Sequence, residues 1–99
     1  MVQDLRFEWD ERKNARNQRK HGISFEEAET VFLDDMALLL DDPEHSGRED
    51  RFILLGLSVA ARVLVVCHCY LASGNVVRLI SARKATATER KVYLERWTR

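Results

Sequence analysis

Three stretches in the second half of the chain decide the fold: Asp50-Arg51-Phe52-Ile53-Leu54-Leu55-Gly56-Leu57-Ser58, Arg62-Val63-Leu64-Val65-Val66-Cys67-His68-Cys69-Tyr70 and Asn75-Val76-Val77-Arg78-Leu79-Ile80-Ser81-Ala82. Each is a short apolar run rich in β-branched residues, bounded by Ala, Ser and Gly, and each reads as a strand. The segments between them are too short for a parallel crossover, which needs a dozen or more residues, so the three form an antiparallel meander. Working toward the N-terminus, Ala37-Leu38-Leu39-Leu40-Asp41 adds a fourth strand closed by Asp42-Pro43. The polar stretch Glu44–Glu49, which contains His45, reads as a surface loop without a role.

The flanks are helical. Leu5-Arg6-Phe7-Glu8-Trp9 alternates apolar and charged residues, as an edge strand does. Asp10 then caps a helix over Glu11–Lys20, and Gly22 ends it. That helix is almost entirely polar, so it lies on the surface or presents its charges to something. Ser24-Phe25-Glu26-Glu27 has the spacing of a capping box for a second helix, which carries Phe25, Ala28, Val31 and Phe32 and ends near Leu33-Asp34-Asp35. Thr86-Ala87-Thr88-Glu89 opens a C-terminal helix with Val92, Tyr93 and Trp97 as its apolar residues. The expected order is β-α-α-β-β-β-β-α, a single α+β domain over residues 1–99, with an antiparallel sheet and its helices on one face.

With 99 residues, 45% hydrophobic and 32% charged, the chain has room for one compact domain and not for a multidomain enzyme. A chain of this size buries only about 60–65% of its unfolded surface, which makes help from a second subunit a reasonable expectation. No apolar run has the roughly 18–20 residues of a membrane span, and Met1–Arg6 lacks an apolar signal core, so the expected location is the cytoplasm. Net charge is zero, but its distribution is uneven: residues 1–22, 23–77 and 78–99 carry +2, −7 and +5. Two basic ends around an acidic middle can form a local phosphate-binding patch if the fold brings them together; the alternative is solvated helix faces.

The chemistry-bearing residues are cations and histidines set in apolar strands: Arg51, Arg62, His68, Arg78 and Arg83. A cation on a sheet face needs a partner or solvent. Strand parity places Arg62 with His68 and sets Arg78 and Arg83 on opposite faces of a regular strand; the turn before Asn75 decides which of them His68 joins. His21 closes the first helix, where an imidazolium caps the dipole, or pairs with Lys20 toward a phosphate. Cys67 and Cys69 lie about 6.5–7 Å apart on one strand face, too far for an unstrained disulfide, with His68 opposite; no metal site and no cofactor is expected from them. Scattered glycines make no phosphate-cradling loop.

Taken together, Phe7-Glu8-Trp9-Asp10, Lys20-His21-Gly22-Ile23-Ser24-Phe25-Glu26-Glu27-Ala28, Asp50-Arg51-Phe52-Ile53 and Ile80-Ser81-Ala82-Arg83-Lys84-Ala85, followed by Glu89-Arg90 and Tyr93, resemble the BrnT-type toxins. The resemblance runs from Phe7 to Tyr93. It implies a RelE-like α+β fold, a ribonuclease toxin of a type II toxin–antitoxin pair, and a BrnA-type antitoxin whose DNA-binding domain carries the complex to operator DNA. A homodimer within that complex is a further expectation. RNA cleavage without a metal needs a proton acceptor, a proton donor and cations for the phosphorane. His68 or His21 suits the proton transfers, Arg51, Arg78 and Arg83 suit bidentate phosphate contact, and Lys20 adds a point charge. Tyr93, Lys84 and Trp9 are the expected substrate-binding residues. The competing class is a non-catalytic subunit of a DNA-binding autoregulatory complex, although the chain has no helix-turn-helix or basic recognition helix of its own.

Overall fold

The computed structural model describes residues 5–42, 50–71 and 74–98. The strands are β1 (Arg6–Glu8), β2 (Leu38–Asp41), β3 (Phe52–Leu57), β4 (Val63–Tyr70) and β5 (Val76–Lys84); the helices are α1 (Glu11–His21), α2 (Phe25–Thr30) and α3 (Ala87–Glu95). The loop assigned to Glu44–Glu49, with His45, lies outside the described residues. The sheet order is β1-β5-β4-β3-β2. The meander β2 to β5 is antiparallel, as its short connections require. β1 is an edge strand, but it joins β5 in parallel, with Arg6 opposite Val76 and Glu8 opposite Arg78, so the sheet is mixed rather than antiparallel throughout. The long path from β1 through two helices and three strands permits that orientation, which a hairpin would forbid.

The helices do not share one face. Ile23, Phe25, Ala28 and Val31 pack with Leu54, Leu64, Val66, Val77, Leu79 and Ala82, whereas Tyr93 of α3 packs with Leu55 and Val65. Leu54 and Leu55 are neighbours on β3 and point to opposite sides, so α2 and α3 cover opposite faces. The apolar runs of β3 and β4 have no polar alternation because both their faces are buried.

Local chemistry accounts for the helix ends. Asp10 accepts from the Arg12 N–H at 2.7 Å, and Gly22, at φ +73°, closes α1 by donating to Gln18 O at 2.8 Å. Thr86 and Glu89 form a reciprocal capping box on α3. Ser24 caps α2 through the Glu27 N–H at 3.0 Å, but the Glu27 carboxylate does not return to complete a box. It accepts instead from Ser58 Oγ at 2.6 Å and Arg62 Nε at 3.0 Å, and pairs with the Arg62 terminal nitrogen, tying α2 to the β3–β4 turn.

Two asparagines explain how the polar α1 is held. Asn17 Nδ2 donates to Ile23 O and Ala82 O, both at 2.8 Å, while its Oδ1 accepts from Ala82 N at 3.1 Å. Because β1 ends opposite Arg78, the next part of the β5 edge is open, and the Asn17 amide takes the place of a neighbouring strand there. Asn14 Oδ1 accepts from Phe25 N at 2.9 Å, fixing the start of α2. Amide bonds thus substitute for the apolar stripe that α1 lacks, which leaves its outer face free to carry charge.

Candidate functional site

The site grows from a one-residue irregularity in β5. Cys67 lies opposite Ser81 while His68 lies opposite Leu79, so Ile80 is an extra residue on β5, a β-bulge. Past the bulge, Arg78 is opposite Cys69, and beyond it Arg83 is opposite Val65. Val65, Cys67 and Cys69 alternate onto one face of β4, so Arg78, Ser81 and Arg83 also share a face. The expectation that the two arginines point oppositely is therefore corrected, and the bulge is the reason.

Two adjoining clefts open between α1 and this part of the sheet. The first, about 410 Å³, is lined by Glu8, Trp9, Asp10, Lys13, Arg51, Arg78, Leu79 and Ile80. The second, about 360 Å³, is lined by Lys13, Arg16, Asn17, Lys20, His21, Arg51, Ile80 and Ser81. They share Lys13, Arg51 and Ile80, which makes them compartments of one groove. Four cationic side chains and His21 line the second compartment, and no carboxylate does. In the first, Arg78 donates from Nε and a terminal nitrogen to Glu8 Oε2 at 2.8 and 2.6 Å, and Trp9 Nε1 donates to Glu11 Oε2 at 2.8 Å. The indole meets Phe25 edge to face, with centroids 6.0 Å apart.

The structure thus brings Trp9, Lys20, His21, Arg51 and Arg78 together. Lys13 and Arg16 join them although sequence reading did not single them out; the signal was the spacing 13, 16, 20, which is one helical stripe. Glu8 was also passed over, hidden in an alternating edge strand.

Four expected site residues lie elsewhere. His68 is fully buried in an aromatic cluster, its ring 4.9 Å from Phe32 and 5.2 Å from Tyr70, with Nδ1 3.1 Å from Val66 O. It faces the α2 side of the sheet, away from the groove, and burial lowers its pKa; packing rather than proton transfer to a substrate accounts for it. Tyr93 is likewise fully buried and donates to Asp34 Oδ2 at 2.6 Å, so it has no face for a base. Arg83 is clamped on both oxygens of Glu89 at 2.8 and 3.0 Å. That pair, with the Thr86 backbone N–H, holds the Glu89 carboxyl down to about 2 and braces α3. Lys84 is exposed opposite Leu64, on the sheet face away from the groove.

Cys67 and Cys69 are free thiols, and burial foremost, with Asp42 beside it, pushes Cys67 up to about 11, which makes it inert as a nucleophile. Among the described residues, no three His, Cys, Asp or Glu side chains gather as a metal-binding group. No helix among them is long and apolar enough to cross a membrane.

Comparisons with known proteins agree with this architecture. The crystal structure of the Brucella abortus ribonuclease toxin BrnT superposes with a TM-score of 0.63 at 21% identity, over 83% of this chain and 97% of that one. This likeness concerns the fold. No curated protein matches the sequence. The family model described as the ribonuclease toxin BrnT of type II toxin–antitoxin systems matches residues 9–89, a span that contains α1, the bulge and all but Glu8 of the groove. The chain belongs to the BrnT family of ribonuclease toxins of type II toxin–antitoxin systems.

Proposed function

We propose that this chain is a metal-independent endoribonuclease that arrests translation in the cytoplasm by cutting RNA, and that a BrnA-type antitoxin silences it by covering the groove. The observation that carries the reading is the second compartment, where Lys13, Arg16, Lys20, His21 and Arg51 converge with no carboxylate among them. Such a surface repels a divalent cation and attracts a phosphodiester, so its own cations do the charge neutralisation that a metal would otherwise supply. Arg51, common to both compartments, offers a planar fork to the scissile phosphate; Arg16 adds a second such fork, and Lys13 and Lys20 run along the backbone as point charges; His21 is the imidazole placed to transfer a proton. Trp9 offers an aromatic surface for a base. An acidic antitoxin segment that folds on binding matches the groove in charge, and operator DNA is reached through that partner.

The test is growth and RNA integrity on induction of the chain alone, for wild type, Arg51→Ala and Lys20→Ala, with soluble folded protein verified for each. Arrest with RNA loss in wild type only, relieved by co-expressed antitoxin, is the expected result. A well-expressed wild type that neither arrests growth nor degrades RNA overturns the nuclease reading in favour of a regulatory subunit, and the groove then becomes an interface. Binding to single-stranded RNA should also weaken with salt, and removal of each phosphate-contacting cation should lower the log–log slope by about 0.7.

A further inference from the structure

The groove accounts for one side of α1 and leaves another unexplained. The helix carries five Lys or Arg and one Glu. Lys13, Arg16 and Lys20 line the groove, but Arg12 and Arg19 line neither compartment. At about 100° per residue these two fall opposite the buried Asn14 and Asn17, on the solvent crest of the helix, with Arg16 between them and the lysines. All five cations are exposed, and among the described residues none is paired with a carboxylate. The carboxylates beside them are engaged: Glu11 accepts from Trp9 Nε1 and Asn14 Nδ2, and Asp10 accepts from the Arg12 N–H.

Such crowding costs the helix. Arg16 stands three or four residues from each of Arg12, Lys13, Arg19 and Lys20, and like charges at those spacings repel across one helix face. Elsewhere the chain answers its arginines with glutamates, as at Arg62 with Glu27 and Arg83 with Glu89, so the unanswered charge on α1 points to a polyanion. Groove and crest run side by side. The first compartment takes Asp10 and Lys13 from the start of α1 and the second takes Arg16, Lys20 and His21 from its end, so the groove follows the helix axis. Lys13 and Lys20 are seven residues apart, as are Arg12 and Arg19, which puts about 10.5 Å of axis between the members of each row. An RNA backbone lying in the groove leaves it past one end of α1 and does not climb the crest. The crest arginines therefore face a second backbone beside the first.

Building on the ribonuclease reading, we infer that the crest of α1 is a second RNA-binding surface and that the substrate class is folded RNA, in which the strand in the groove runs beside another, as at the foot of a hairpin stem. Arg12 and Arg19 present planar forks to the phosphates of that other strand, and Arg16 stands between the two backbones. Recognition of this kind reads the shape of an A-form helix and not its sequence.

The double variant Arg12→Gln/Arg19→Gln tests this and leaves every groove residue in place. Its binding is compared with wild type on two RNAs of equal length, a hairpin and an unpaired strand, both 2′-O-methylated so that they lack the attacking hydroxyl and stay intact. Wild type should bind the hairpin about tenfold or more tightly than the strand, and the double variant should lose about tenfold or more on the hairpin but less than about threefold on the strand. The log–log salt slope for the hairpin should fall by about 1.5, as two lost phosphate contacts require. Melting of the variant should match wild type or lie above it, because two like-charge neighbours of Arg16 are gone. A wild type that binds both RNAs equally, or neither, overturns the second backbone, as does an equal loss on both in the variant. Hairpin affinity kept while the complex with the antitoxin weakens assigns the crest to the protein partner and overturns the proposal as well. Cleavage of the unmodified RNAs is read separately: a wild type that cuts neither overturns the ribonuclease reading, while binding of the methylated pair still decides the crest.

Discussion

Gly56→Ala should destabilise the fold markedly although it adds only one methyl group. Gly56 is fixed by packing, not by backbone conformation, since Gly22 and Gly74 are the described glycines with positive φ. A Cβ at position 56 would lie 2.8 Å from both Ala37 Cβ and Val31 Cγ1, and 3.1 Å from Asp34 Oδ2. Comfortable carbon contacts fall at about 3.5–4.0 Å, so each of the first two neighbours must retreat by about 0.7–1.2 Å. Ala37 Cβ is rigid on its backbone and cannot rotate away, and Asp34 is held by Tyr93 Oη and by the N–H groups of Met36 and Leu57. Overpacking of this kind costs about 1–3 kcal/mol, more than the roughly 0.4–1 kcal/mol an alanine gains by stiffening the unfolded chain. For a domain of this size the Tm should drop by about 4–8 °C for each kcal/mol lost. Urea denaturation of Gly56→Ala, Val31→Ala and the double variant measures it. The pair should be less destabilised than the sum of the singles, because Val31→Ala deletes one of the clashing methyls. A neutral or stabilising Gly56→Ala, or strict additivity, would refute the claim that this contact is closed.

Tyr93→Phe should cost about 1.5–3 kcal/mol, since it removes a hydrogen bond to the Asp34 carboxylate, yet should leave RNA affinity unchanged; a shift in RNA affinity in the folded variant would place Tyr93 at the substrate after all. Glu89→Gln should lower stability by about 0.5–2 kcal/mol through the α3 cap and the Arg83 clamp, measured by thermal melting. In wild type that contribution is complete above the ordinary glutamate range and is lost as the pH falls from about 4.5 toward 2, because the folded carboxyl titrates near 2. His68 gives a separate signature. Its folded pKa is depressed, so the unfolded chain binds the extra proton first, and stability declines as the pH drops below about 6.5 and levels off once the folded value is passed. His68→Leu should flatten the stability curve between pH 7 and 5; an unchanged slope would mean that the imidazole is not buried in its neutral form.

The alternation from Leu5 to Trp9, the apolar runs between Ala37 and Ala82, the capping signals at Asp10, Ser24 and Thr86, and Gly22 carry enough local information to place the five strands and three α-helices of the described residues close to where they lie. What local pattern does not encode is pairing. The parallel docking of β1 and the covering of both sheet faces depend on contacts between distant segments, so an antiparallel sheet with one covered face was the natural expectation. The unbroken apolar runs of β3 and β4 did hold the clue to two covered faces. For the site, residue type identified Arg51, Arg78, Lys20 and His21 as chemically suited, and the fold gathers them. It misled at His68 and Tyr93, because an imidazole in aromatic company and a phenol bonded to Asp34 look in sequence the same as functional groups. Lys13, Arg16 and Glu8 were legible only once α1 lay beside β5, since each sits among other charges with nothing local to distinguish it.

Ile80 makes the count of residues, rather than their character, decide which side of the sheet Arg78 occupies. Arg78 and Arg83 are five residues apart, an odd interval that a regular strand would split between two faces, and the extra residue is what returns both to the side of Cys69 and Val65. Losing Ile80 would leave Leu79 opposite His68 and Arg78 opposite Cys69, because the shortened strand alternates regularly through the same partners. Smoothing the irregularity while keeping every residue is the damaging change: Ile80 would then meet His68, Leu79 would meet Cys69, and Arg78 would meet Tyr70 on the buried α2 side. The side on which the arginine emerges is thus a matter of parity, set by the interval to Arg83 and the irregularity together, and an alignment that counts one without the other assigns it to the wrong face.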